Sequence, residues 1–317
     1  MGKTAEINNI QIWYEEFGDS SNESILLIMG ANANCKHWDQ EFIDQLLLNN
    51  FHVVRFDNRD VGKSTWVGKE PGLNKILKFF PDFILRLIVN SIFGLAVDDK
   101  GKFKFSESSS TPYDLSDMAK DAVSLMNELK IEKAHIIGAS MGGMITQIIA
   151  LDYPEKVLSI SPIMTSPGIQ NEFLSGPTEG LLEAIKKSFI FNLKGRIEDG
   201  VVEIYRQLTG SRFPFNEQEF REKLKPIVEH GNNPFGLHST AIGASPDRTS
   251  RLHEIKVPAL IIHGTEDAIL PLDHGIAVAD GIKNSKRFIM EGVGHEIPTE
   301  LLSEIIREIV ENIKRVA

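Results

Sequence analysis

Gly138-Ala139-Ser140-Met141-Gly142 follows an apolar run, Ala134-His135-Ile136-Ile137, and leads into a helix-length segment that continues to Leu151 and stops at Tyr153-Pro154. Read as strand, sharp turn and helix, the stretch puts Ser140 in a strained conformation, and the flanking glycines remove the Cβ atoms that would clash there. Ser140 is therefore a candidate nucleophile. The bare Gly-x-Ser-x-Gly pattern is common enough to mean little. Its weight comes from the strand before it and from a helix that is small near the turn and apolar beyond it.

Working outward, strand-type runs recur at Gln11 to Tyr14, Ile25 to Ile28, His52 to Phe56, Ala134 to Ile137, Lys156 to Ile160, Ala259 to His263 and Lys286 to Met290. Several are continuously apolar, as buried strands of a mainly parallel sheet tend to be. Helical patterns lie between them at Trp38 to Leu48, Leu115 to Leu129, Met141 to Leu151, Asp273 to Ile282 and Thr299 to Val316. The alternation predicts an α/β fold with crossover helices. Two regions break the rhythm. Residues 161–252 read as an inserted helical cap, which leaves 1–160 and 253–317 as the core. Residues 66–112 form a second insertion, in which Phe83 to Val97 is apolar nearly all round but too short to predict a membrane span. That segment reads either as a helix starting near Pro81 and packed on the cap, or as one facing lipid or a micelle and admitting substrate. Its apolar surface would serve a homodimer contact equally well.

The 317 residues are 42% hydrophobic, ample for a core, and 34 basic against 44 acidic residues give a net charge of -10. The basic residues are scattered, so the electrostatic footprint of a nucleic-acid binder is absent. One cysteine, Cys35, excludes an internal disulfide and a multi-cysteine zinc site and fits a reducing, cytoplasmic setting. The polar start, Met1 to Glu6, lacks a signal peptide's apolar stretch. Neither a metal nor a cofactor is expected.

A serine hydroxyl needs a base to attack at neutral pH, and the base needs a carboxylate to orient it. After such a turn the expected chain order is Ser, acid, His. Of the nine histidines, His295 lies in Gly292-Val293-Gly294-His295-Glu296, a loop between the last strand and the final helix. Others fall on apolar strands or near element ends, where structural roles are expected; His238, in the cap, is kept as a candidate for lining the pocket. Asp267 follows Ala259 to His263 through a short turn, at the sheet edge where open α/β sheets bind ligands. The segment 161–169 offers no competing carboxylate. For the oxyanion of a tetrahedral intermediate, Met141 N–H supplies one donor, and Met29-Gly30-Ala31-Asn32 supplies the second through Ala31 N–H or the Asn32 side chain. Gly30, Asn32 and His238 complete the expected substrate contacts.

With these residues assembled, the chain resembles the α/β-hydrolase superfamily over nearly its whole length apart from residues 66–112. Arg55 to Thr65, the turn followed by Thr146-Gln147, and Gly292-Val293-Gly294-His295 are similar to the esterase branch that includes aclacinomycin methylesterase. The resemblance implies an eight-stranded, mostly parallel sheet with a helical cap, no cofactor, and hydrolysis of a small-molecule carboxylic ester through an acyl-enzyme. It carries the triad onto Ser140, Asp267 and His295. Met29-Gly30 stands where many members have His-Gly, a feature the methylesterase-like branch shares. Asp57, Arg59 and Ser64 match the family's loop after its fourth strand, where structural hydrogen bonding is expected, with substrate contact as the alternative. With neutral imidazole required and an unperturbed His pKa of about 6.5, activity is expected to fall on the acid side of neutrality. Other readings on the same residues are a proline iminopeptidase-like aminopeptidase, a cofactor-free haloperoxidase or C–C bond hydrolase, and a ligand receptor that retained the fold without turnover.

Overall fold

The strand runs assemble into one eight-stranded sheet in the computed structural model, which describes residues 2–98, 101–104 and 111–316. β1 (Lys3–Ile7) and β2 (Ile10–Phe17) make a hairpin through Asn8 and Asn9, both at positive φ, as a two-residue primed turn requires. β3 (Ser24–Ile28), α1 (Gln40–Leu47) and β4 (His52–Phe56) follow, then α2 (Asn74–Leu77), α3 (Asp82–Ala96) and α4 (Leu115–Glu128). The chain continues through β5 (Ala134–Ala139), α5 (Met141–Asp152) and β6 (Val157–Ile163). Four helices come next: α6 (Glu179–Leu193), α7 (Ile197–Leu208), α8 (Glu217–His230) and α9 (His238–Ala244). β7 (Ala259–Gly264), α10 (Leu272–Gly281), β8 (Ser285–Met290) and α11 (Leu302–Ile313) complete the chain.

The strand order is β1-β2-β4-β3-β5-β6-β7-β8, antiparallel at the β1–β2 and β2–β4 pairs and parallel from β4 onward. Period-two alternation sends successive side chains to opposite faces. Leu26, Ile28, Ile136 and Ile261 thus join a core with α4 and α5, while Ile25, Leu27, Ile137 and Ile262 join one with α1 and α11. Helices on both faces of a parallel sheet explain why its central strands read as unbroken apolar runs.

Two details differ from the sequence expectation. β1 was not among the expected strands: it is an edge strand with only Ala5 and Ile7 buried, so its apolar signal is thin. β6 runs three residues past Ile160, because Pro162 and Ile163 continue the register against Gly138 and Ala139.

Between β4 and α4, α3 starts directly after Pro81, as expected. Leu85 and Val89 bury against Leu77 and Ile190 of α6, while Phe83, Leu87 and Leu95 point outward. Buried Asp60 ties both ends of this segment to the core. Its carboxylate accepts hydrogen bonds from Val67 N–H (2.5 Å), Gly68 N–H (2.7 Å) and Tyr113 O–H (2.5 Å), and from Asn233 Nδ2 (3.2 Å) and Leu237 N–H (3.3 Å) before α9. Burial opposes the charge, yet these donors hold the carboxyl below its usual range. Asp60 itself sits at φ 69, a turn conformation Asp tolerates better than most residues.

Candidate active site

Ser140 stands between β5 and α5 at φ 54 and ψ -118, a conformation that costs an L-residue about 1–3 kcal/mol. The surroundings enforce it. Ser140 N–H donates to Ile163 O (2.8 Å), and Thr165 Oγ1 donates to Ser140 O (2.8 Å). A Cβ on Gly138 would collide with Gly142 O and Thr146 Oγ1, and one on Gly142 would strike Ile28 O. The second approach packs the start of α5 against the end of β3. Met141 N–H belongs to the first turn of α5, whose leading amides have no intrahelical acceptor.

That contact also brings in the loop after β3. A Cβ on Gly30 would sit 3.1 Å from Ser140 Cβ and 3.3 Å from Ala139 O, so this loop passes in tight contact with the serine turn. Ala31 follows, partly exposed, and then Asn32 at φ 57. Asn32 N–H donates to His238 Nδ1 (2.8 Å), and His238 Nε2 donates to Arg59 O (2.6 Å). The His238 ring is fully buried with both nitrogens held by backbone, so it braces this loop and has no ring nitrogen left for a substrate. Burial also lowers its pKa, which keeps Nδ1 an acceptor. Asn232 Nδ2 reaches Asn32 O (2.7 Å) and Asn58 Nδ2 reaches Met29 O (3.0 Å), fixing the loop from two further sides.

Asp267, in the turn after β7, and His295, in the loop after β8, are in direct contact: His295 Nδ1 lies 2.6 Å from Asp267 Oδ2. Asp267 Oδ1 accepts from Ile269 N–H (3.0 Å) and Leu270 N–H (2.8 Å). His263, expected to be structural, adds a second imidazole, its Nε2 3.4 Å from Asp267 Oδ2 and 2.8 Å from Leu270 O. Burial favours the neutral acid, but electrostatic attraction to the His295 imidazole and hydrogen bonds from His263 and His295 prevail and hold the Asp267 carboxyl well below the usual carboxylate range. Parallel pairing sets the ends of β3, β5, β7 and β8 on one sheet edge, so Gly30, Ser140, Asp267 and His295 all lie there.

Reading the sequence missed how the segment before α8 is fastened to these loops. His295 N–H donates to Leu208 O (2.7 Å), Arg212 N–H to Gly292 O (2.8 Å) and Gly210 N–H to Glu296 Oε1 (3.0 Å). Ser211 donates its N–H and Oγ to the two carboxylate oxygens of Glu266 (2.7 and 2.6 Å). A Cβ on Gly294 would collide with Leu208 O, and one on Gly210 with Gly292 O. The acidic neighbours Glu266 and Glu296 were the available signal, but adjacency in sequence does not name a partner more than 50 residues away.

Asp57, Arg59 and Ser64 engage in structural contacts. Asp57 accepts from Cys35 N–H (2.8 Å) and Lys63 N–H (2.9 Å) and pairs with His230 Nε2 (2.7 Å). Ser64 Oγ donates to Asp57 O (2.7 Å), and Arg59 forms a two-pronged ion pair with buried Asp121 (2.7 and 2.8 Å). Cys35, Asp57 and His230 bring their ligand-capable atoms within 4.8 Å of one another, a proximity explained by these hydrogen bonds closing α8 onto the loop after β4.

A family model described as alpha/beta hydrolase fold matches residues 23–300. The chain belongs to the alpha/beta hydrolase fold family. This hydrolase-fold chain is 25% identical over 311 residues to rhodomycin D methylesterase from Streptomyces sp. strain C5, covering 92% of the chain and 91% of that relative. It is 28% identical over 252 residues to a 2-hydroxy-6-oxononadienedioate/2-hydroxy-6-oxononatrienedioate hydrolase from Paraburkholderia phymatum, covering 76% of the chain and 84% of that enzyme. Among solved structures, the enol-lactonase from Burkholderia xenovorans shares the fold with a TM-score of 0.70 at 18% identity, covering 99% of this chain and all of that one. An esterase from Rhodococcus sp. does so at 0.72 and 14% identity, covering 99% and 98%.

Proposed function

We propose that this alpha/beta hydrolase is a serine hydrolase that cleaves carboxylic esters of small or apolar molecules through an acyl-enzyme. The observation that carries the reading is Ser140, held at positive φ on the same sheet edge as the directly bonded Asp267–His295 pair. Asp267 holds the His295 Nδ1 proton and leaves Nε2 to act as base. Ser140 Oγ attacks the acyl carbonyl and gives its proton to Nε2; the carbonyl oxygen becomes an oxyanion held by Ala31 and Met141 N–H. The same proton passes to the leaving alcohol as the tetrahedral intermediate collapses. Water, losing a proton to Nε2, then releases the acid and restores Ser140. No cofactor enters the scheme. Residues 161–252 act as a cap over the edge, and the fastening of Leu208 to Arg212 on the loops of Asp267 and His295 supports that placement. The buried thiol of Cys35 fits a cytoplasmic setting.

Similarity to a methylesterase favours the ester over an amide. Similarity to the 2-hydroxy-6-oxononadienedioate hydrolases supports a second reading, hydrolysis of a carbon–carbon bond by the same residues. Hydrolysis of p-nitrophenyl esters from acetate to palmitate by wild type and Ser140→Ala tests the proposal. Loss of about 10⁴-fold or more in kcat is expected for the variant with its fold intact. Inert esters, together with no labelling of Ser140 by a fluorophosphonate, would sink it; inert esters with labelling and turnover of a 2-hydroxy-6-oxo-dienoate would select the second reading.

A further inference from the structure

α3 has apolar side chains on both sides, and only one side is covered. Leu85 and Val89 are buried against α2 and α6, whereas Phe83 and Leu87, four residues apart, fall on the opposite face and Leu95, two turns further on, is exposed to one side of it. With Phe79, which follows α2, these side chains are 65 to 80% exposed. Leu73, directly before α2, and Ile76 within it are exposed as well. A helix apolar all round is normally buried in protein or in lipid, and several large apolar side chains exposed on one short segment mark a contact surface.

Charge separates the occupants. Between residues 66 and 112 the sequence has seven basic and five acidic residues, while the rest of the chain has 27 basic and 39 acidic. The apolar patch therefore sits in a net-positive segment of a strongly acidic protein. Lys78 and Arg86 are exposed within it, with Lys78 Nζ 5.3 Å from the Phe79 ring centroid. Asp82, an acidic residue of the same segment, lies 3.6 Å from Lys194 Nζ. A two-fold contact between copies would set like-charged faces against each other. A bilayer with anionic headgroups complements both features, taking Phe and Leu below the headgroups and Lys and Arg at their level. The 15 residues of α3 span only about 22 Å, short of the roughly 30 Å hydrocarbon core, so the helix would lie on such a surface rather than cross it.

We infer that the face formed by Phe79, Phe83, Leu87 and Leu95, flanked by Lys78 and Arg86, docks the protein on anionic lipid surfaces. The inference is independent of the ester chemistry. Its test is co-sedimentation of the full chain with vesicles of phosphatidylcholine alone or with 30% phosphatidylglycerol (about one lipid in three, a strongly anionic surface), alongside light scattering in the absence of lipid. Wild type should bind the anionic vesicles at least tenfold better than the neutral ones. Phe83→Ser/Leu87→Ser/Leu95→Ser should lose tenfold or more, and Lys78→Glu/Arg86→Glu, which leaves the apolar face intact, should lose the preference for anionic vesicles. Both variants should keep the wild-type far-UV circular dichroism and urea midpoint, showing that they fold. Absence of vesicle binding, equal binding to both compositions, or binding unchanged in the variants would each overturn the inference. So would a wild-type dimer that the apolar variant dissociates while vesicles remain unbound.

Discussion

At the sheet edge, Gly138, Gly142, Gly264 and Gly294 let backbone meet backbone where a Cβ would collide; between residues 66 and 112 the chain is tied at its ends and leaves apolar side chains uncovered along its middle. The first region has no slack. The Ser140 turn and the His295 loop are fixed by backbone contacts too close for a side chain to enter, which suits the proposed chemistry, since that depends on sub-ångström placement. The second hangs from Asp60 and rests on Ile190 of α6 through three buried side chains, Leu77, Leu85 and Val89. Its outer surface is free to change without disturbing the sheet. The lesson is that the same chain separates positional accuracy from surface affinity, placing them on segments held by different forces.

The sharpest attack on this comparison is Asp60→Ala, which would strip both ends of the insertion and the loop before α9 of their shared acceptor. Tyr113 O–H and the Val67 and Gly68 amides would be stranded, and a loss of at least about 3 kcal/mol is expected by urea unfolding. A change below about 1 kcal/mol would show that the insertion is held elsewhere. Gly142→Ala comes next. Its methyl would strike Ile28 O, pushing α5 from the end of β3, and kcat/KM on a soluble ester should fall about a hundredfold. Near-wild-type activity would mean that the edge has slack after all.

Acid should act on the buried frame before the surface. His135, His238 and His274 are buried, and burial is the chief cause that lowers each pKa. In the unfolded chain such imidazoles protonate below about 6.5, so there the unfolded state binds more protons than the folded one. Stability should therefore be constant with respect to these groups above about 6.5 and decline steadily as pH falls toward their folded values. Chemical unfolding at three pH values between 7.5 and 5 measures it, and flat midpoints would refute the assignment. Smallest of all should be Leu95→Ser, expected within about 0.5 kcal/mol of wild type because the side chain is already in solvent. A larger loss would show that this face is covered within the molecule and would remove the contrast between the two regions.

Much of this was legible in order along the chain. The serine turn, the Asp267 turn and the His295 loop each announce themselves locally, by an apolar strand followed by glycines and a polar residue, and strand ends in a parallel sheet converge on one edge. The edge strand β1 was not legible, because two buried side chains make no pattern.

The sequence by itself therefore determined the layered α/β architecture and the identity of the groups at the sheet edge, since both follow from local periodicity and turn chemistry. Tertiary structure decided what those groups lean on. His238, expected in the pocket, braces Asn32 from a helix more than 200 residues away; Glu266 and Glu296 clasp residues 210 and 211; and Asp60 gathers both ends of an insertion. Buried polar groups take whichever partner the packing delivers, and that partner is set by three-dimensional closure rather than by any pattern along the chain.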